Sequence, residues 1–258
     1  MRPVYAVGVG GTVCLLCWKV LHCTVFLNIH ANMCTVPAPA MVPSLFTGDP
    51  PKSVVTSFQE HSEFTQAQMA DWQKLNPEYT IVGYSDAEAA AYLLAHFPPW
   101  ATDLYSRVKF GPLRGDVFRS LYIFREGGTW VDIDVVLRTP FREWGVEGDA
   151  VWMPRSRSPF QINPTVIVAI PNDPTMRAVV DMYRSLSRGL LVGRSYWGLS
   201  IVHVVSELVF VHDFHVDASA LEICPEKNVQ RCFILGGNTE ILFYNRHPEW
   251  DSVAHVPL

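Results

Sequence analysis

An α/β fold built on a mixed, mainly parallel sheet is what this sequence predicts, and three observations predict it. Short β-branched runs alternate with helical patterns across residues 51–137, the order that gives parallel strands with covering helices. Of the 258 residues, 49% are hydrophobic and 17% charged, which suits one sizeable core in one domain. Charge also sets the amino terminus apart. Residues 1–48 carry only Arg2 and Lys19, and the first acid is Asp49, so the body is the acidic part of a chain whose net charge is −5.

The amino terminus comes first. Pro3 to Trp18 is apolar, Lys19 interrupts the run and Val20 resumes it. A bilayer-spanning helix needs ~20 residues, and a charge near its middle costs about 2.5–3.5 kcal/mol. Residues 1–34 therefore read as a poor signal anchor or an uncleaved signal peptide. The alternative is a hydrophobic strand and helix belonging to the core. Four of the six cysteines (Cys14, Cys17, Cys23 and Cys34) fall here and read as thiols near a membrane. A zinc knuckle would need a second well-spaced pair. Cys224 and Cys232 either pair in an oxidising lumen or remain two buried thiols. Residues 35–50 are a Pro-rich linker that cannot be helical. The folded domain is expected over 51–258.

Within that domain, Ser53 to Phe58 is a β-branched run and reads as the first strand. Thr65 to Lys74 reads as a helix that ends before Asn76-Pro77. Tyr79 to Tyr84 is a second strand. Ser85 caps a helix from Asp86 to His96, with Glu88 placed for a capping box. Pro98-Pro99 stops that helix. Leu113 to Arg125 has apolar residues at helical spacing, and Gly127-Gly128 supplies a left-handed cap. Thr129 to Leu137 then reads as one continuous strand. It carries Asp132 and Asp134 two apart, so both carboxylates point to one side.

Two acids on one face repel each other unless a cation or a donor lies between them. At the carboxyl end of a strand they make an oxygen-rich corner for Mg²⁺ or Mn²⁺. A blander reading has one carboxylate capping a turn and the other solvated. Asp116 and Arg119, three apart, share one face of the preceding helix. They are either a surface ion pair or part of the same corner. The second reading joins an acid for a ribose hydroxyl, a guanidinium for phosphate oxygens and a metal site. A nucleotide diphosphate sugar requires that set. Nucleic-acid binding is disfavoured, because the net charge is negative and no Lys/Arg run exists.

These residues carry a resemblance. Gly115-Asp116, Arg119-Ser120, Ile123, Gly127-Gly128, Trp130, Asp132 and Asp134 keep the spacing of the DXD-containing sugar transferases of glycosyltransferase family 32. Pro50 to Phe58, Trp72 to Tyr79, Gln161 to Asn163 and Ala169 to Pro174 resemble further motifs of that family, over about residues 50–250. Val55 and Phe58 stand where the family's opening motif has His and Trp, and Ser120 where it has Tyr.

The resemblance implies a GT-A-like single nucleotide-sugar-binding domain and transfer of a hexose with retention. Asp134 and Asp132 would hold Mn²⁺ or Mg²⁺ on the diphosphate, with His247 as an additional contact. Asp116 would bind the ribose or the donor sugar, and Arg119 would orient the diphosphate or the sugar. Phe58 would lie near the base or simply pack in the core. No catalytic nucleophile is readable. The implied acceptor is a glycan, glycoprotein or glycolipid. The implied place is a membrane facing the Golgi or ER lumen, as a single-pass type II protein, with a secreted form as the variant. Two other readings stand beside it. One is a catalytically inactive glycosyltransferase-like binding protein, motivated by the altered opening motif. The other is a haloacid-dehalogenase-type phosphatase, whose DxD motif is matched by Asp132-Ile133-Asp134 but normally ends the first strand of its domain.

Overall fold

A computed structural model of the chain describes residues 48–146, 151–156, 161–188, 200–211, 216–217, 220–223, 230–235 and 239–245. The segment 1–34, nearly all of the Pro-rich linker, Cys224 and His247 lie outside the described residues. No helix among the described residues is long and apolar enough to cross a membrane.

Strand β1 (Ser53–Phe58) is at the centre of the first sheet. It pairs in parallel with β2 (Thr80–Ser85) from Ser53↔Thr80 to Phe58↔Ser85, and in parallel with β3 (Gly128–Val131). Strand β5 (Val166–Ala169) closes the sheet antiparallel to β3, in the order β2-β1-β3-β5. With its helices this is the mixed, mainly parallel α/β sheet that the sequence predicts. A second sheet, which the sequence did not signal, is antiparallel throughout. Its order is β4 (Val135–Leu137), β8 (Thr239–Asn245), β7 (Gln230–Leu235) and β6 (Leu221–Ile223).

Helix α1 (Glu63–Leu75) begins at Ser62, whose hydroxyl accepts from the Thr65 N–H. Helix α2 (Asp86–His96) begins at Ser85 with the expected capping box: the Glu88 carboxylate accepts from the Ser85 N–H at 2.7 Å. Pro98-Pro99 does stop α2, but it also starts α3 (Pro99–Arg107). The reason is that proline at the first helical position gives up an N–H that has no intrahelical partner anyway. Helix α4 (Gly111–Glu126) crosses the core with nearly every residue from Leu113 to Ile123 buried. It ends at Gly127, whose φ of 67° is positive as expected. Its ψ of −157° is extended, so the chain passes straight into β3. A Cβ on Gly127 would lie 2.6 Å from the ring of Pro171. Helix α5 (Pro174–Arg188) and helix α6 (Ile201–Val211) pack against α4 and each other.

One expectation needs correction. Thr129 to Leu137 is not a single strand. It divides into β3 and β4, which belong to different sheets, and residues 132–134 form the turn between them. The physical cause is burial on both flanks. Val131 and Val135 are each wholly buried in one apolar cluster with Trp72, Phe141, Trp152 and Phe233. Between them, the Val135 N–H donates to the Asp132 carbonyl at 3.0 Å and closes a tight turn. The two carboxylates are thus held at the edge of the core by their apolar neighbours, while Ile133 between them packs against the same cluster.

Helix α1 pins the far side of this turn. The Trp72 indole N–H donates to the Val135 carbonyl at 2.9 Å, and the Gln68 amide donates to the same oxygen. Asn76, fully buried at the end of α1, accepts from the Phe141 N–H at 2.8 Å and donates to the Trp72 carbonyl at 3.2 Å. Replacing Asn76 by Ala would leave the Phe141 N–H buried without this acceptor, at a cost of about 1–3 kcal/mol. Urea unfolding of Asn76→Ala should show that loss with an unchanged m-value. A change below 0.5 kcal/mol, roughly the surface-substitution range, would show that this latch does not hold the turn.

Candidate functional site: a carboxylate cleft at the strand ends

The carboxyl ends of β1 and β3 open onto a cleft of about 600 Å³. Phe58 stands at the end of β1, Trp130 near the end of β3, and Asp132 and Asp134 on the turn that follows. All four line the cleft, as does Arg119 from α4. The ring of Phe58 is mostly buried and meets His61 edge-on at 4.9 Å, so it offers the cleft one side while packing on the other.

Arg119 organises this corner. One guanidinium nitrogen meets Asp116 Oδ1 at 2.9 Å. The other meets Asp132 Oδ1 at 2.8 Å and donates to the Pro164 carbonyl at 2.9 Å. The guanidinium also lies 5.1 Å from the centre of the Trp130 ring. Trp130 in turn donates its indole N–H to Asp132 Oδ1 at 2.7 Å. Asp132 is therefore fixed by two donors on one oxygen. Its Oδ2 is the oxygen with which it would reach a ligand. The Asp132 N–H continues the β3–β5 ladder by donating to the Thr165 carbonyl at 3.0 Å.

Asp116 is placed differently from the other predicted residues. It is buried behind Arg119 and does not line the cleft. Its Oδ2 accepts from the Ile201 N–H, the first of α6, at 3.1 Å. Burial pushes its carboxyl up to about 6 and Asp132 adds to the rise, while Arg119 and the Ile201 N–H work against it.

A further cluster of the cleft lining was not anticipated. Asp86, at the start of α2, meets Arg114 at 2.6 Å and accepts from the Tyr105 hydroxyl at 3.0 Å. Asp86, Arg114 and Lys109 all line the cleft. Tyr105 is held mainly protonated by burial and then by Asp86. Sequence spacing could not pair residues 28 apart in the chain. The only signal was that Asp86 lies beside a helix cap.

The oxygen donors of this corner suit a hard cation. Mg²⁺ and Mn²⁺ sites commonly take one or two carboxylates and complete the shell with water and phosphate oxygens. Among the described residues no group of three or more His, Cys, Asp or Glu gathers into a closed cage. Asp132 and Asp134 at a cleft fit the open kind of site. The phosphatase reading fits less well, since the DxD follows the third strand rather than the first.

The raised Asp116 pKa has a defined consequence for stability. A folded pKa near 6 against an ordinary value of 3.8 means the folded state binds this proton more tightly than the unfolded state. The contribution is present at low pH and is lost as pH rises through about 6, on the order of 3 kcal/mol in total. Asp116→Asn removes it. The stability of the variant relative to the parent should therefore rise between pH 4 and pH 7 in urea titrations. A pH-independent difference would contradict the assignment.

Residues 62–151, about a third of the chain, match the family described as the glycosyltransferase sugar-binding region containing DXD motif. No curated protein matches the chain. Among solved structures, the chain is similar to the PaToxG glycosyltransferase at 16% identity, covering 78% of this chain and 80% of that one, with a TM-score of 0.49. It is also similar to the ligand-free glycosyltransferase domain from the YGT toxin at 8% identity, covering 65% and 69%, with a TM-score of 0.37. The matched stretch runs from the start of α1 through the DXD turn and is similar to that sugar-binding region.

Proposed function

We propose that this chain is a metal-dependent glycosyltransferase. It would move a hexose from a nucleotide diphosphate sugar to a glycan, glycoprotein or glycolipid, with retention as in the family 32 enzymes it resembles. The observation that carries the reading is the corner itself. Asp132 and Asp134 lie on a buried-flanked turn at the carboxyl end of a parallel strand, the usual place for ligands in α/β sheets. Arg119 is held beside them at 2.8 Å from Asp132.

In this reading Asp134 and the free side of Asp132 hold Mn²⁺ or Mg²⁺. When bound, the cation supplies Lewis-acid neutralisation of the departing diphosphate. Arg119 keeps a fixed positive charge at the cleft wall, and Trp130 keeps Asp132 turned toward it. Phe58 lines the side where a base would lie. Lys109 adds a further positive charge to the cleft lining. Residues 1–34, with their long apolar content, would attach the protein to a membrane on its luminal side, and His247 would be an outer contact to the metal site.

A thermal-shift panel of UDP- and GDP-sugars with and without Mn²⁺ tests the reading. A ligand at a hundredfold excess over Kd stabilises by about 2.7 kcal/mol. Asp134→Asn should abolish the Mn²⁺-dependent part of that stabilisation. Mn²⁺-dependent turnover of the bound donor establishes the enzyme. Binding without turnover would instead favour an inactive sugar-nucleotide-binding protein. No stabilisation by any nucleotide would overturn both.

A second expectation concerns Arg119. Lys in its place keeps the charge but loses the fork that spans Asp116, Asp132 and the Pro164 carbonyl. Losing one charge-assisted hydrogen bond costs about 1.5–3 kcal/mol. Arg119→Lys should therefore weaken donor binding about tenfold or more in calorimetry. Unchanged affinity would show that Arg119 does not set the site.

A further inference from the structure

We infer that Gly115 is a specificity-determining residue of the donor site. Its missing side chain leaves room for a hydroxylated ring of the donor, either the ribose or the transferred sugar, to rest against the backbone of α4. The inference rests on the donor-site reading above and adds a residue that limits what the site admits.

Glycine is a poor choice for the second turn of a helix, because it loses more conformational freedom on folding than any other residue. Gly83 and Gly127 are demanded by their surroundings. A Cβ on Gly83 would lie 2.6 Å from the Met69 sulfur, and one on Gly127 2.6 Å from the Pro171 ring. Gly115 is different. It has no positive φ that would call for glycine. The nearest neighbours of a Cβ there would be the Arg119 guanidinium and the Ser57 hydroxyl, each at 3.7 Å, which is ordinary contact. An alanine would therefore fit the protein.

The space left open belongs to the cleft, since Gly115, Ser57 and Arg119 all line it. Ser57 is next to last in β1 and Asp132 lies just past the end of β3, and these two strands run parallel side by side. Neighbouring strands lie about 4.8 Å apart, so a group resting on Gly115 is beside a diphosphate held at the DXD turn. In a nucleotide diphosphate sugar the diphosphate is flanked by two hydroxylated rings, the ribose and the sugar. The spot suits such a ring. The partly exposed Ser57 hydroxyl can donate to a ring oxygen or accept from a ring hydroxyl. A helix without a side chain at this point lets the ring approach the backbone closely. Arg119 folds back over the same turn, its Nε donating to the Gly115 carbonyl at 3.4 Å, and bounds the space on one side.

The test is Gly115→Ala in the full chain. Without ligand the variant should melt about 1–4 °C higher, because alanine favours the helix and meets no clash. With Mn²⁺ present, calorimetry would measure UDP and GDP and their glucose, galactose, mannose and N-acetylglucosamine conjugates. The ligand that the parent binds best should bind the variant about fivefold more weakly or worse, as overpacking of a filled site requires. A loss shared by the free diphosphate assigns the space to the ribose. A loss confined to the conjugates assigns it to the sugar. Both support the inference.

Mn²⁺-pyrophosphate, which carries no ring, separates this from a mere shift of Arg119. Its affinity, read by competition with the nucleotide, should match in parent and variant. Three results would overturn the inference alone: a variant that melts lower than the parent, unchanged affinity for every ligand the parent binds, or an equal loss for pyrophosphate. A parent chain that binds no nucleotide would overturn the donor-site reading, and the inference with it.

Discussion

The site depends on one guanidinium held between two carboxylates. Arg119 and Asp116 are both almost wholly buried, and Asp132 is mostly so. Taking such charges out of water costs several kcal/mol per ion before their attraction is counted, and well-packed apolar residues can often replace a buried ion pair without loss of stability. Stability alone therefore gives little reason for this triad. Its effect is directional. Arg119 also donates to the Pro164 carbonyl and stacks toward Trp130, so its planar fork has one orientation. Asp132, fixed on one oxygen by Arg119 and Trp130, is left with one oxygen to offer.

The fold makes that orientation reproducible. The DXD turn hangs between Val131 and Val135, each sealed in the core. A slip of the turn by one residue would drag a valine toward water or a carboxylate toward the core. Helix α1 adds the Trp72 and Asn76 hydrogen bonds on the β4 side. Helix α4 adds Arg119 on the β3 side. Acidic residues in a cleft are common enough to mean little. Acidic residues clamped from both sides by buried structure are what a site that must meet a cation at a set geometry requires.

Much of this was legible from local signals. The first strand, the helix capped by Ser85 and the glycine stop read correctly because β-branching, capping boxes and positive-φ glycines act within a few residues. The Asp116-Arg119 spacing placed both on one helix face, and the short link to Asp132 placed that acid nearby. Long-range facts were not legible. The break between β3 and β4 escaped notice because residues 129–137 look like one β-branched run, and only the identity of the two sheets divides them. Helix α3 was missed because proline both ends and begins helices. The Asp86–Arg114–Tyr105 wall and the Asp116–Ile201 contact join distant parts of the chain, and no spacing rule reaches that far.

The most direct measurement is a crystal structure of the chain with Mn²⁺ and a bound nucleoside diphosphate, using the anomalous signal of the metal. The expected result is a single Mn²⁺ peak on the carboxylates of Asp132 and Asp134 with diphosphate oxygens beside it, and Arg119 still joining Asp116 to Asp132. A metal bound elsewhere, or Arg119 swung away from both carboxylates while the nucleotide is in place, would contradict the central claim.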